Sequence, residues 1–571
     1  MHRSNRTPRV RFNRRSVVLS SIFTLNLLVL PLEVYMYEVS PFERTGFRAP
    51  PLFPGAYGPQ SNPDAFVPVF QALYNDSSQV YSYDRMNLLD VICTTLPRNQ
   101  SLCDSSATIL HTHVGAFYYP KDLQNHLAKL TCTAPSPNGV ARSWHFRLFG
   151  HITSTSVVWL DDATSDPFGS TSTIHYLFIP LRQPMAWLVF KLAARLAMWN
   201  YIVYLIVHRY VRHVCHLGHL LETHQMHEGS SAVRFDIVVG EPTPVIVAHP
   251  LICLFFIADM WVSAEYFGLA CLRVSQLSNL FCFFLGLLFC ARMMWFAVAV
   301  LMTTNAILKR RRKHFQSSPV DTTTLTVLAA VLGTVAIHVQ AVSPVVLEFY
   351  AFLFNAATVV NETGQVTGLE CGYAMAVASV TLGCVPAALV FSTSLRPTKQ
   401  AVGQRLRRMS TRLGISPRTV DVAGTTEQPR HYVESMFGFS DLKQRLTLWL
   451  CCGHRANIEN ICYGGSAYRL FHVDAAYRTE RTISQRDTDC FVFGFDATNR
   501  LVEVTRVSLV ANIDMTLPRH RRGVAPTVED TAPQNVSTLA VGRVFIGPRC
   551  DVGALPSTSL RHGACGSAWV A

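Results

Sequence analysis

Five consecutive basic residues, Lys309 to Lys313, separate two long apolar runs, Leu280 to Leu308 and one that begins near Leu325. Each run is long enough to cross ~30 Å of hydrocarbon as a helix. So much positive charge in a short loop between two spans marks the cytoplasmic side of a membrane. With that loop inside, every other apolar run, loop and glycosylation sequon acquires a side.

The expected fold is a polytopic α-helical membrane protein of about six spans. An α/β ectodomain follows the first span, and a small α+β cytoplasmic module lies near the C-terminus. Residues 1–15 are a basic cytoplasmic tail without an acidic residue, and 16–36 form span 1, read as an uncleaved signal anchor. Residues 37–183 form the extracellular or lumenal domain, with strand-like alternation at Ser143–Phe149, Ser156–Leu160 and Ile174–Ile179. Span 2 (184–207) leads into a histidine-rich cytoplasmic loop (208–250) that turns strand-like near Val233–Gly240. Span 3 (251–271), span 4 (280–304), the basic loop (305–324) and span 5 (325–342) come next. An outer loop (343–371) contains a short apolar segment, Val345–Val360, readable as a re-entrant helix. Span 6 (372–391), a linker (392–430), the cytoplasmic module (431–515) and a loose tail (516–571) complete the chain. Within the module, Cys490–Phe495 and Leu501–Val510 read as a hairpin turned at Ala497–Asn499. Both termini are then cytoplasmic, in the plasma membrane or an endomembrane.

The charge balance, 50 Lys+Arg against 37 Asp+Glu, would suggest nucleic acid in a soluble chain. Here the excess flanks apolar runs, so an anionic inner leaflet is the expected partner and nucleic acid is not. A second copy of the chain, and an ion or small solute, remain open as further partners. Three sequons, at Asn75, Asn99 and Asn361, fall outside in this layout, and one at Asn535 falls inside. Cys93, Cys103, Cys132 and Cys371 are the outer cysteines and the disulfide candidates.

Charged residues within apolar runs cost too much to lie there unpaired. Lys191 and Arg195 share a face of span 2. At 1.5 Å per residue in antiparallel spans, Arg195 comes level with Asp259, and Lys191 with Glu265. Arg292 and His338 lie at comparable depth. One mid-membrane cluster is expected, Asp259 with Arg195 and Glu265 with Arg292 or Lys191, as structural ion pairs or as an ion path.

His208, His213, His224 and His227 are candidate metal ligands, as are Cys452, His454 and Cys462. The pattern from His208 to Glu228 resembles the first two histidine boxes of the membrane fatty-acid-hydroxylase and sterol-desaturase family, which would imply a di-iron oxidase. It departs from that family because Glu228 follows His227 where a paired histidine is needed, and no third box follows. The alternative is an interfacial helix whose His and Arg face headgroups. Cys451 and Cys452 could instead carry a lipid or simply pack. No P-loop, kinase loop, zincin helix or nucleophile elbow occurs, so no catalytic residue and no cofactor is assigned.

Six spans with a large loop after the first resemble polycystin- and mucolipin-type channels in architecture. The whole chain, including Val233–Thr243, is similar to multi-pass transmembrane proteins of oomycetes, a resemblance that implies topology and no activity. The leading functional expectation is a channel or ion-coupled transporter with an external domain and a cytoplasmic regulatory module. The second is a membrane sensor or scaffold without a conduction path, and the third a histidine-box oxidase. Paired charges in a dry bundle would favour the second, and a hydrated cavity the first.

Overall fold

The computed structural model describes residues 8–42, 81–84, 89–97, 141–162, 171–180, 183–224, 226, 231–274, 277, 279–310, 319–339, 482–514, 540–546 and 558–571, together with parts of 343–384 and 447–480. Asn75, Asn99, Asn361, Cys103, Cys132, His227, Cys452, His454 and Cys462 lie outside the described residues.

Strand β1 (Arg9–Phe12) runs into helix α1 (Arg14–Val29). Asn13 caps the helix: its side chain accepts from the Ser16 amide at 3.2 Å while Ser16 Oγ donates to the Asn13 carbonyl at 2.8 Å. A 3-10 turn, Glu33–Met36, follows. Helix α2 (Met185–Ile206) continues through a π-helical turn, Val207–Val211, into α3 (Arg212–Thr223). After β7 (Arg234–Val238) and the short α4 (Thr243–Val247), α5 (Pro250–Val262) and α6 (Glu265–Val274) meet at a sharp bend. Then come α7 (Leu280–Ala291), α8 (Met294–Arg310) and α9 (Thr322–Val339).

Among the described residues, two helices are long and apolar enough to cross a membrane: Met185–Thr223, of 39 residues, and Leu280–Arg310, of 31. The α5–α6 pair, bent by 88°, would add a third. Helix α1 is only 16 residues long, so the apolar run 16–36 does not continue as helix to its end. Lengths of this kind fit a membrane location.

Two sheets flank the helices. The first has strand order β2-β3-β6-β5-β4-β9-β8, built from Tyr81–Asp84, Leu89–Pro97, Thr171–Pro180, His151–Asp162, Ala141–Leu148, Val366–Glu370 and Thr358–Val360. All its pairings are antiparallel except β4 with β9. The α/β expectation for this domain thus meets a sheet that its described residues make from strands alone. Phe149, read as the end of a strand, instead sits in the β4–β5 turn with φ 51°, followed by Gly150 at φ 82°. Trp144, Phe146, Tyr176 and Phe178 of this sheet share one core with Tyr266, Leu269 and Leu272 of α6 and Phe289 of α7. The bend after α5 therefore lays α6 beneath the sheet.

The second sheet has order β1-β7-β11-β12-β10, where β10 is Tyr463–Gly464, β11 Cys490–Phe495 and β12 Leu501–Leu509. A small hairpin, β13 (Arg543–Ile546) with β14 (Thr558–Arg561), precedes β15 (Trp569–Val570), which pairs with β12. β1 pairs in parallel with β7, and β7 antiparallel with β11, so strands from three distant segments form one surface. Helix α3 packs Tyr210, Val214, Leu217 and Leu221 against it, with Phe235, Ile237, Val492 and Trp569. The module is therefore larger than 431–515, and residues 540–546 and 558–571 of the tail fold with it. Trp569 is fully buried and donates from Nε1 to the His213 carbonyl at 2.8 Å.

A buried charge network

Four of the charges within apolar runs meet where α2, α5 and the α7–α8 junction converge. Arg195 Nε donates to Asp259 Oδ1 at 2.9 Å, and Arg292 Nη2 to Asp259 Oδ2 at 2.5 Å. Both carboxylate oxygens of Asp259 are thus taken by guanidinium groups. The second carboxylate is Glu38, from the segment that leaves the first helix: its Oε2 accepts from Arg195 Nη2 at 2.8 Å and lies 3.6 Å from Lys191 Nζ. Arg292 Nη1 is 3.9 Å from Glu38 Oε1 and donates to the Tyr37 hydroxyl at 3.0 Å. Ser263 Oγ, at the α5–α6 bend, accepts from Lys191 at 3.1 Å and from Arg195 at 3.2 Å.

Aromatic rings close the site. The Arg195 guanidinium lies 4.9 Å from the Tyr35 ring and Lys191 Nζ 5.8 Å from that of Tyr266, whose hydroxyl accepts from the Val39 amide at 3.2 Å. The charged side chains are no more than 6% exposed. Ions this far from water hold their charge only when each is paired and hydrogen-bonded. The arrangement can bind four segments together, because no two of Glu38, Arg195, Asp259 and Arg292 share a secondary element.

Glu265 opens α6, and the partners assigned to it, Arg292 and Lys191, are engaged by Glu38 and Asp259 instead. His338 lies half-buried near the end of α9 and makes none of these contacts. Glu38 was missed because the ectodomain was begun at Tyr37. The available signal was an acidic residue two positions beyond an apolar run, preceded by tyrosines at 35 and 37.

A second ion pair joins sheet and bundle: Arg273 Nη2 of α6 lies 3.4 Å from Asp90 Oδ2 of β3, both buried. Elsewhere in the same sheet, Glu370 of β9 ties down the β4–β5 turn, accepting from the Phe149 amide at 2.7 Å and the Gly150 amide at 3.2 Å. Phe149 stacks on Trp261 at the end of α5, with centroids 6.0 Å apart. In the other sheet, Arg506 donates from Nε to Asp489 Oδ2 at 2.8 Å and its Nη2 lies 2.7 Å from the same oxygen, both side chains fully buried.

The remaining candidates do not converge. His208 is exposed, its ring tilted against that of Tyr204 with centroids 4.5 Å apart, while His213 sits beside Arg212 and His216. Burial, then those two neighbours, lowers the His213 pKa below 6.5. His224 follows α3, and among the described residues no three His, Cys, Asp or Glu side chains converge to hold a metal ion. Cys371 is a free thiol that burial pushes up to about 12, and Cys93 Sγ lies 3.1 Å from His175 Nδ1. Cys451 is buried with its carbonyl accepting from Asn13 Nδ2 at 3.2 Å, and burial raises its thiol, which suits packing rather than acylation. No protein-family model, no curated protein and no solved structure matches this chain, so its function is read from the geometry of this network.

Proposed function

We propose that the protein is a membrane sensor or scaffold that couples an external domain to a cytoplasmic module through a helical bundle. The observation that carries this reading is the network on Glu38: one carboxylate at the entrance to the external domain engages Lys191, Arg195 and Arg292 of the bundle. Charges that neutralise one another inside a packed core brace it; an ion path would need them open to water.

In this proposal the β1-containing sheet is cytoplasmic and the seven-stranded sheet is extracellular or lumenal. The sorting of segments supports it. The first sheet takes strands from the N-terminal arm, the 208–250 loop and the C-terminal region, all inside in the six-span layout. The other takes strands only from 81–180 and from 358–370, all outside. Lys309 of the basic loop lies 3.1 Å from Asp514, on the cytoplasmic module. Exposed apolar residues, among them Val18, Ile22 and Leu25 of α1, Leu251 and Leu254 of α5, and Leu280 and Phe281 of α7, supply lipid-facing surface.

One observation favours the transporter reading: Arg195 Nη1 is buried without a hydrogen-bond partner among the described residues, which leaves one donor for a water or a transported anion. Proteoliposomes separate the two. A sensor gives ion flux no higher than empty vesicles, and Asp259→Asn yields a poorly folded protein. A well-folded Asp259→Asn protein that loses a wild-type flux would reverse the choice.

A further inference from the structure

We propose that the exposed face of the α2–α3 helix, centred on Arg209 and Arg212, binds the headgroup of an anionic phospholipid. The helix from Met185 to Thr223 is 39 residues long, and about 20 of those span a hydrocarbon core. If the core begins near Met185, the π turn and the start of α3 emerge at headgroup depth. There the two sides of the helix differ. Tyr210, Val214, Leu217, Leu220 and Leu221 are buried against the cytoplasmic sheet. His208, Arg209, Arg212 and His219 are exposed on the other side.

Charge complementarity names the occupant. From Ala186 to Leu221 the chain contains no acidic residue, and neither arginine has a carboxylate within ion-pair distance among the described residues. Arginine forks match phosphate geometry. The contacting rings of Tyr201, Tyr204 and His208 run up the same helix, as an aromatic belt does where hydrocarbon meets headgroups. Cytoplasmic leaflets are rich in anionic lipid. The sidedness proposed above decides only which leaflet supplies the lipid.

The test is retention of phosphatidylserine against phosphatidylcholine of the same chain length, read by native mass spectrometry of the full-length protein in detergent. Wild type should retain phosphatidylserine selectively. Arg209→Gln with Arg212→Gln should weaken it about tenfold, while Arg209→Lys with Arg212→Lys keeps most of it. A control pair, Arg500→Gln with Arg561→Gln, exposed on the β11–β12 turn and on β14, should leave it unchanged. Equal retention of both lipids by wild type, unchanged retention in the Gln pair, or an equal loss in the control pair overturns the proposal. Glycan mapping reads sidedness separately, so an error there is distinguishable from a failure of lipid binding.

Discussion

Two buried ionic centres of this molecule do different work with the same chemistry. The Arg506–Asp489 pair joins residues only 17 positions apart, on β12 and at the start of β11. The bundle network joins Glu38 to Arg195, 157 positions away, and to Arg292, farther still. A local pair steadies one hairpin. A network drawn from distant segments makes the segments depend on one another, so its loss should spread. Removing one partner of a buried pair strands the other charge in either place; the two centres should differ in how far the damage travels.

The largest effect is expected from Asp259→Asn, which leaves Arg195 and Arg292 sharing Glu38. It should cost about 3–5 kcal/mol, seen as a lower melting temperature and a cooperative loss of proteolytic protection in both sheets. Asp489→Asn should cost about 3 kcal/mol, with protection lost in the β1-containing sheet and retained in the seven-stranded one. Loss of protection in both sheets would erase the contrast. Gly240→Ala should cost about 1–3 kcal/mol, because a Cβ there would lie 2.4 Å from the Asp487 carbonyl and 2.5 Å from that of Asp489. Its damage too should stay in the module, read by hydrogen exchange of β11.

The smallest effect is one of pH. Burial lowers the His213 and His249 pKa values below 6.5, with help from Arg212 and His216 in the first case and from Arg209 in the second. The unfolded chain then binds more protons than the folded one just below pH 6.5, so stability falls as pH drops through that value. Melting temperatures should decline between about pH 6.5 and 5.5, and less so in His213→Gln. A flat profile would show that neither histidine resists protonation in the fold.

Sequence and structure part company where contacts join distant segments. Alternation of β-branched and aromatic residues is local, and β4, β5, β6, β11 and β12 lie where it occurs. Asp496 makes the β11–β12 turn legible, because its side chain accepts from the Thr498 and Arg500 amides. Helix rise and antiparallel order suffice to set Arg195 against Asp259. Nothing local tells that Arg9–Phe12 will pair with Arg234–Val238, since a four-residue parallel edge strand has no turn to announce it. The Pro/Thr/Gly-rich stretch before Trp569 reads as loose, although its last strand fills the module core. Glu38 escaped because a side chain at the end of an apolar run was assigned to water by position alone.

A double-mutant cycle on Glu38→Gln and Asp259→Asn, read as melting free energy of the full-length protein in detergent, tests most directly whether the network is one unit. Both carboxylates serve Arg195 and Arg292, so the second substitution, which takes the last carboxylate from three buried cations, should cost more than it does alone, with a coupling energy of about 1–3 kcal/mol. Effects that add within about 0.5 kcal/mol would mean that the two carboxylates act independently, and would contradict a single brace linking the external domain to the bundle.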